Sequence, residues 1–116
     1  MNDADTPLAA LKERLAEFNA AREWQRFHNP KDVATALAVE AGELLELFLW
    51  RRPDGDDLPE RQRLEDEAAD VLICLANLAN ALGLDLMAAA QAKLARNGER
   101  YPVDKARGNA KKWDEL

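Results

Sequence analysis

One cysteine and one histidine are all the thiol and imidazole chemistry available to this chain of 116 residues. Cys74 therefore has no partner for an internal disulfide, and a structural zinc site cannot be assembled. The lone His28 likewise excludes the paired Glu-x-x-His ligands of di-iron helical bundles. Glycine and proline number five each and aromatics make up 6%, too little punctuation for a fold of many short strands. No stretch approaches the roughly 18 uninterrupted apolar residues of a membrane span, and the opening MNDADTP lacks the basic and apolar regions of a secretory leader. Positive charge is scarce as well. Sixteen Lys and Arg against 22 Asp and Glu leave a net charge of −6, which disfavours a nucleic-acid polymer as partner. These absences leave a soluble, cytoplasmic, all-α protein, one domain over residues 1–116, with no membrane contact.

Four amphipathic segments supply the helices. The first has Thr6 as candidate cap and Pro7 as first helical residue, with Leu8, Leu11, Leu15 and Phe18 at helical spacing, and runs to about Trp24. The second opens at Asn29-Pro30-Lys31-Asp32, where Asn29 caps and Asp32 faces the positive helix end, and runs to near Arg51. RRPDGDDLP then reads as a turn or short loop. The third helix covers roughly 60–82 and stops at Gly83; the fourth opens at Asp85 and finishes near Gly98. YPVDKARGNAKKWDEL reads as an extended or weakly ordered tail. Short connections between long helices imply a four-helix bundle with antiparallel neighbours.

The second helix carries acids inside its most apolar stretch, ALAVEAGELLELFLW, residues 36–50. At about 100° per residue, Val33, Leu37, Leu44 and Leu47 fall within about 60° of Glu40, which occupies the centre of the apolar stripe. Glu43 sits at about 60° and Trp50 at about 80°, lining one edge, while Glu46 turns towards solvent. The third helix repeats the pattern: Leu64, Val71, Cys74 and Leu78 surround Glu67, and Asp70 takes the edge. Most glutamates on amphipathic helices are solvated or make i,i+4 ion pairs. That reading suits Glu46, Glu60, Glu65 and Asp66, but Glu40 and Glu67 lie among aliphatics, with Arg63 the one cation in helical reach.

A buried carboxylate must protonate, pair with a cation or bind metal. One divalent ion satisfies all four acids together and turns their repulsion into shared coordination. An all-carboxylate oxygen set suits Mg²⁺ or Mn²⁺. Mg²⁺ completes its shell with water and phosphate oxygens, so a nucleotide or polyphosphate is the expected substrate.

EAGELLELFLW followed by EDEAADVLICL resembles the paired acidic motif of the MazG-like all-α nucleoside triphosphate pyrophosphohydrolases. EWQRFHNPKD at 23–32, KLARNGERYPV at 93–103 and the RGNAKKW after them are similar to the dCTP pyrophosphatase branch in particular. The resemblance implies that Glu40, Glu43, Glu67 and Asp70 are catalytic magnesium ligands. The implied reaction cleaves a deoxynucleoside triphosphate, dCTP or a modified dCTP first, to monophosphate and pyrophosphate by attack of water at the α-phosphorus. It further implies that Trp24, His28 and Trp50 line the base and sugar pocket and that Lys93, Asn97, Arg100 and Tyr101 surround the substrate. The family assembles as homodimers or homotetramers, and the second helix here, apolar nearly all round, fits that expectation. Two other readings stand beside this one: the same chemistry on another triphosphate or a signalling nucleotide, and a noncatalytic helical interaction module whose acids form intersubunit salt bridges.

Overall fold

A computed structural model describes all residues, 1–116, and contains helices and turns without any strand. The chain divides into two compact units, Met1–Leu84 and Asp85–Leu116. The first holds α1 (Leu8–Ala21), a 3₁₀ turn at Trp24–Phe27, α2 (Pro30–Glu46) and α3 (Arg61–Leu82). The second holds α4 (Leu86–Arg100), α5 (Val103–Ala106) and a 3₁₀ turn at Trp113–Glu115. No single helix is long and apolar enough to cross a membrane.

Helix α1 starts and stops inside the expected limits. Pro7 is the cap position rather than the first helical residue, and no side chain caps the helix. Thr6 cannot serve, because its hydroxyl accepts from Asn2 N at 3.0 Å and is committed to the preceding turn. The far end closes at Ala21, before Trp24, because Glu23 takes a left-handed conformation with φ 54°. Trp24 therefore sits in a separate 3₁₀ turn.

The start of α2 follows the sequence signals: Asn29 Oδ1 accepts from Asp32 N at 2.9 Å, and Pro30 fills the first turn. Its end does not. The helix stops at Glu46, short of Arg51, and the chain tightens into turns in which Phe48 N donates to Leu45 O and Arg51 N to Phe48 O. Arg51 Nε takes the Leu47 carbonyl at 2.8 Å, the acceptor a continuing helix would give to the Arg51 N–H. Asp57 then fixes the loop, accepting from Arg52 N at 2.8 Å and pairing with Arg51 at 3.4 Å.

Helix α3 ends as expected at a left-handed Gly83, φ 67°, and Leu84 N donates back to Ala79 O at 3.0 Å. In the second unit Asp85 Oδ1 caps α4 by accepting from Ala88 N at 3.0 Å. This helix passes Gly98 and runs to Arg100. Pro102 is the reason for the stop, since the residue before a proline is pushed out of the α region, and Tyr101 has φ −122° and ψ 66°. The tail is more ordered than its composition suggests, with α5 and the last 3₁₀ turn, and the Arg100 guanidinium lies 4.9 Å from the centre of the Trp113 ring.

Within the first unit α3 is the hub, packing against both α2 and α1. Lys12 Nζ reaches Leu84 O at 2.8 Å, Asn80 Nδ2 reaches Lys12 O at 3.0 Å, and Asn19 Nδ2 reaches Asn77 Oδ1 at 2.9 Å, so α1 and α3 run in opposite directions. The buried residues are few: Leu15, Val33, Leu47, Pro59, Ala76 and Ala79, with Asn19 the one buried polar side chain.

Candidate active site

Helices α2 and α3 bring three of the four expected acids to one point. Glu40, Glu67 and Asp70 each offer a carboxylate oxygen, all within 4.8 Å of one another. The burial follows the helical wheel, for Glu40 and Glu67 at the centres of their stripes are half-buried while Glu43 and Asp70 at the edges are exposed. Glu43 joins the group electrostatically, and it also lines a cleft of about 500 Å³ with Glu67, Arg63 and Arg51. Glu46 is exposed, as expected, on the rim of that cleft.

The site carries unresolved charge. Glu40 Oε2 and Glu67 Oε2 are buried and have no hydrogen-bond partner. The ion pairs of the chain are Lys31–Asp32, Arg51–Asp57, Arg52–Asp54 and Arg61–Glu65, so none of the four acids is neutralised by a cation within 4 Å. Arg63, the cation in helical reach, leaves Glu67 unpaired. The carboxyl of Glu40 is held above the usual carboxylate range, first because Glu43 is close enough to share a proton with it, then by burial and by repulsion from Glu43, Asp70 and Glu67. Glu67 is raised first by burial and then by the charges of Glu43 and Asp70. Burial also raises the Cys74 thiol, with Glu40 and Asp70 adding to it. Of the three ways to satisfy buried carboxylates, ion pairing is absent, which leaves a shared proton or a bound cation.

A second cavity, about 600 Å³, lies between α1 and α3. Trp24 and His28 both line it, with Leu15, Phe18 and Ile73 as further walls. The Trp24 ring meets Phe18 edge to face at 5.7 Å. These two expected pocket residues are thus brought together. Trp50 is not: α2 ends four residues before it, Trp50 adopts φ 62°, and its side chain is 93% exposed. The wheel placed it beside Glu43 only by extending the helix through a turn that Arg51 and Asp57 hold open. Lys93, Asn97, Arg100 and Tyr101 lie on the second unit, Lys93 and Arg100 exposed, Asn97 and Tyr101 half-buried.

Two polar residues of the first unit escaped the sequence reading. Asn19 and Asn77, 58 positions apart, are hydrogen bonded across α1 and α3 and line the Trp24 cavity. The available signal was weak: each asparagine interrupts an otherwise apolar helix face.

A model of the MazG-like family matches residues 35–116. The chain is 42% identical to dCTP pyrophosphatase 1 of Homo sapiens over 114 residues, covering 94% of this chain and 67% of that protein. It is 40% identical to dCTP pyrophosphatase 1 of Bos taurus over 119 residues, covering 97% and 70% respectively. A crystal structure of a pyrophosphatase from Archaeoglobus fulgidus aligns with a TM-score of 0.76 at 30% identity, over 88% of this chain and 98% of that one. Both acid pairs, on α2 and α3, fall inside the family match, and by sequence and fold the chain belongs to the MazG-like family, in its dCTP pyrophosphatase branch.

Proposed function

We propose that this protein hydrolyses dCTP to dCMP and pyrophosphate and thereby sanitises or balances a nucleotide pool. The observation that carries the reading is the facing of Glu40 and Glu67, two half-buried acids with orphaned oxygens on adjacent helices. The relatives at about 40% identity, named dCTP pyrophosphatases, supply the substrate.

The donor set fits a hard divalent cation. Every candidate ligand is a carboxylate, no cation of the protein occupies the cluster, and two of its oxygens lack any partner. Glu40, Glu43, Glu67 and Asp70 would hold the ion, Mg²⁺ first and Mn²⁺ second. When bound, Mg²⁺ neutralises phosphate charge and lowers the pKa of water, so that attack at the α-phosphorus and departure of pyrophosphate are both eased. The acids do the rest of the work on the protein side. Their position on two rigid helices fixes the direction from which the phosphates are approached. The surplus of carboxylate oxygens supplies acceptors for the proton that water loses.

The cavity of Trp24 and His28 is the proposed seat of the base, where an indole edge and face provide stacking area. Asp70, Ile73 and Asn77 follow one another along α3 at helical spacing, so acid cluster and cavity share one face of that helix. Lys93, Asn97, Arg100 and Tyr101 are proposed as substrate contacts on the sequence resemblance. Homo-oligomerisation belongs to the same reading. Leu45 at 71% and Leu49 at 58% exposure, beside Phe48 and Trp50, place four exposed apolar side chains close together at the end of α2, the kind of surface a partner subunit covers. We place the protein in the cytoplasm.

A panel of deoxy- and ribonucleoside triphosphates with Mg²⁺ tests this directly. Pyrophosphate is the expected first product, with dCTP turned over best; orthophosphate released first would overturn the α-phosphorus mechanism.

A further inference from the structure

Helix α3 opens on a register of i,i+4 partners that holds twice and then breaks. Arg61 Nε donates to Glu65 Oε1 at 3.0 Å and Gln62 Nε2 to Asp66 Oδ1 at 2.9 Å. Arg63 and Glu67 stand next in the same register and make no ion pair, although Glu67 Oε2 is buried without a partner. Glu67 faces Glu40 and Asp70 instead, while Arg63 stays exposed and lines the cleft of about 500 Å³. The other cation of that cleft is committed, since Arg51 bonds Leu47 O, Leu58 O and Asp57. Arg63 is therefore the one guanidinium of the cleft that no group of the protein engages. Glu43 and Glu67, which share the cleft, belong to the acid cluster. With a divalent cation on that cluster they no longer offset Arg63, and this wall of the cleft turns towards anions.

We propose that Arg63 grips the β and γ phosphates of the bound triphosphate, and the pyrophosphate they become. This deepens the dCTP reading and rests on its placement of base and acids. Arg63, Glu67, Asp70 and Asn77 fall within about 80° of arc on one face of α3, with Arg63 about 6 Å before Glu67 and Asn77 about 10 Å beyond Asp70 at 1.5 Å per residue. A nucleotide with its base in the cavity of Ile73 and Asn77 and its α-phosphorus at the acids directs its β and γ phosphates to the Arg63 end. When the bond between the α-phosphorus and the bridging oxygen breaks, its electron pair leaves with the pyrophosphate, and negative charge grows at that end. A guanidinium meets it with paired N–H donors and stays charged at any working pH.

Binding of inorganic pyrophosphate and of dCMP, each titrated calorimetrically with Mg²⁺ in excess, tests this beside kcat/KM for dCTP. Arg63→Gln should weaken pyrophosphate binding by about 10-fold or more and lower kcat/KM by about 10- to 100-fold, as loss of hydrogen bonds to a charged group does. Its affinity for dCMP, which ends at the α-phosphate, should hold within about two-fold. Arg63→Lys keeps the charge without the planar fork and should fall between wild type and Arg63→Gln. Unchanged pyrophosphate affinity in Arg63→Gln overturns the proposal, as does an equal loss for pyrophosphate and dCMP, the mark of a structural role. A variant that sediments differently but binds pyrophosphate like wild type would assign Arg63 to a subunit contact, and overturns it too. Failure of the function itself looks different: wild-type protein would bind pyrophosphate through Arg63 yet release none from any triphosphate in the panel, so that the anion subsite stands and the hydrolysis falls.

Discussion

Glu40 on α2 and Glu67 on α3 each keep one carboxylate oxygen, Oε2, buried and without a hydrogen-bond partner. Their opposed charges of like sign are a fault in the metal-free protein and an asset once a divalent cation arrives. Titrating Mg²⁺ into metal-free protein should therefore raise the melting temperature with concentration, and a chelator should reverse the rise. Glu40→Gln and Glu67→Gln remove repulsion, so each should melt above wild type without metal and gain little when Mg²⁺ is added. A wild-type melting curve indifferent to Mg²⁺ would sink the metal reading.

Turnover should divide the acids by position. Glu40→Gln, Glu43→Gln, Glu67→Gln and Asp70→Asn should each lower kcat/KM by about 100-fold or more, as expected for loss of a ligand whose stabilisation of the transition state is worth several kcal/mol. Glu46→Gln should stay within about two-fold, since exposed substitutions away from the reacting groups are close to neutral. Steady-state kinetics on dCTP decides it, and an equal loss at Glu46 would show that the cleft rim, not the Glu40 cluster, does the chemistry.

Two local devices set the ends of the helices that carry the site. Asn29→Ala removes the cap of α2 and should cost about 1 kcal/mol. Gly83→Ala meets open space but forces a Cβ into φ 67°, and should cost about 1–2 kcal/mol. Urea denaturation at fixed protein and Mg²⁺ concentration measures both. An Asn29→Ala variant as stable as wild type would mean that the Asp32 N–H finds another acceptor.

Leu45→Glu and Leu49→Glu place charge on the exposed apolar surface, the first within the last turn of α2 and the second just after it. Each should leave the helical circular dichroism of the chain intact and shift its sedimentation towards the monomer. If wild type already sediments as a monomer at tens of micromolar, the surface has another use.

The acid cluster was legible from sequence because its logic is one-dimensional. Glu40 and Glu67 stand at the centres of apolar stripes, and a wheel finds that without knowing the fold. Helix starts at Asn29 and Asp85 and the stop at Gly83 were legible for the same reason, each being decided by a side chain and the backbone next to it. Trp50 was not, because the end of α2 depends on Arg51 bonding the Leu47 carbonyl and on Asp57 holding the loop from seven and more residues beyond Trp50. Thr6 failed as a cap for a similar cause, its hydroxyl already taken by Asn2. Asn19 and Asn77 were out of reach altogether, since their meeting depends on how α1 lies across α3.

Ala76 and Ala79 are the two residues of the chain with no exposure at all. Both sit on α3, the helix against which α1 and α2 rest, and a methyl group is the smallest side chain that still excludes water there. Packing around this stretch of α3 tolerates nothing larger than a methyl. At about 100° per residue both alanines fall on the side of α3 turned away from Glu67. Enlarging either one is a change of pure volume far from any charge, and its consequence is a strained core behind the acid cluster rather than an altered set of acids.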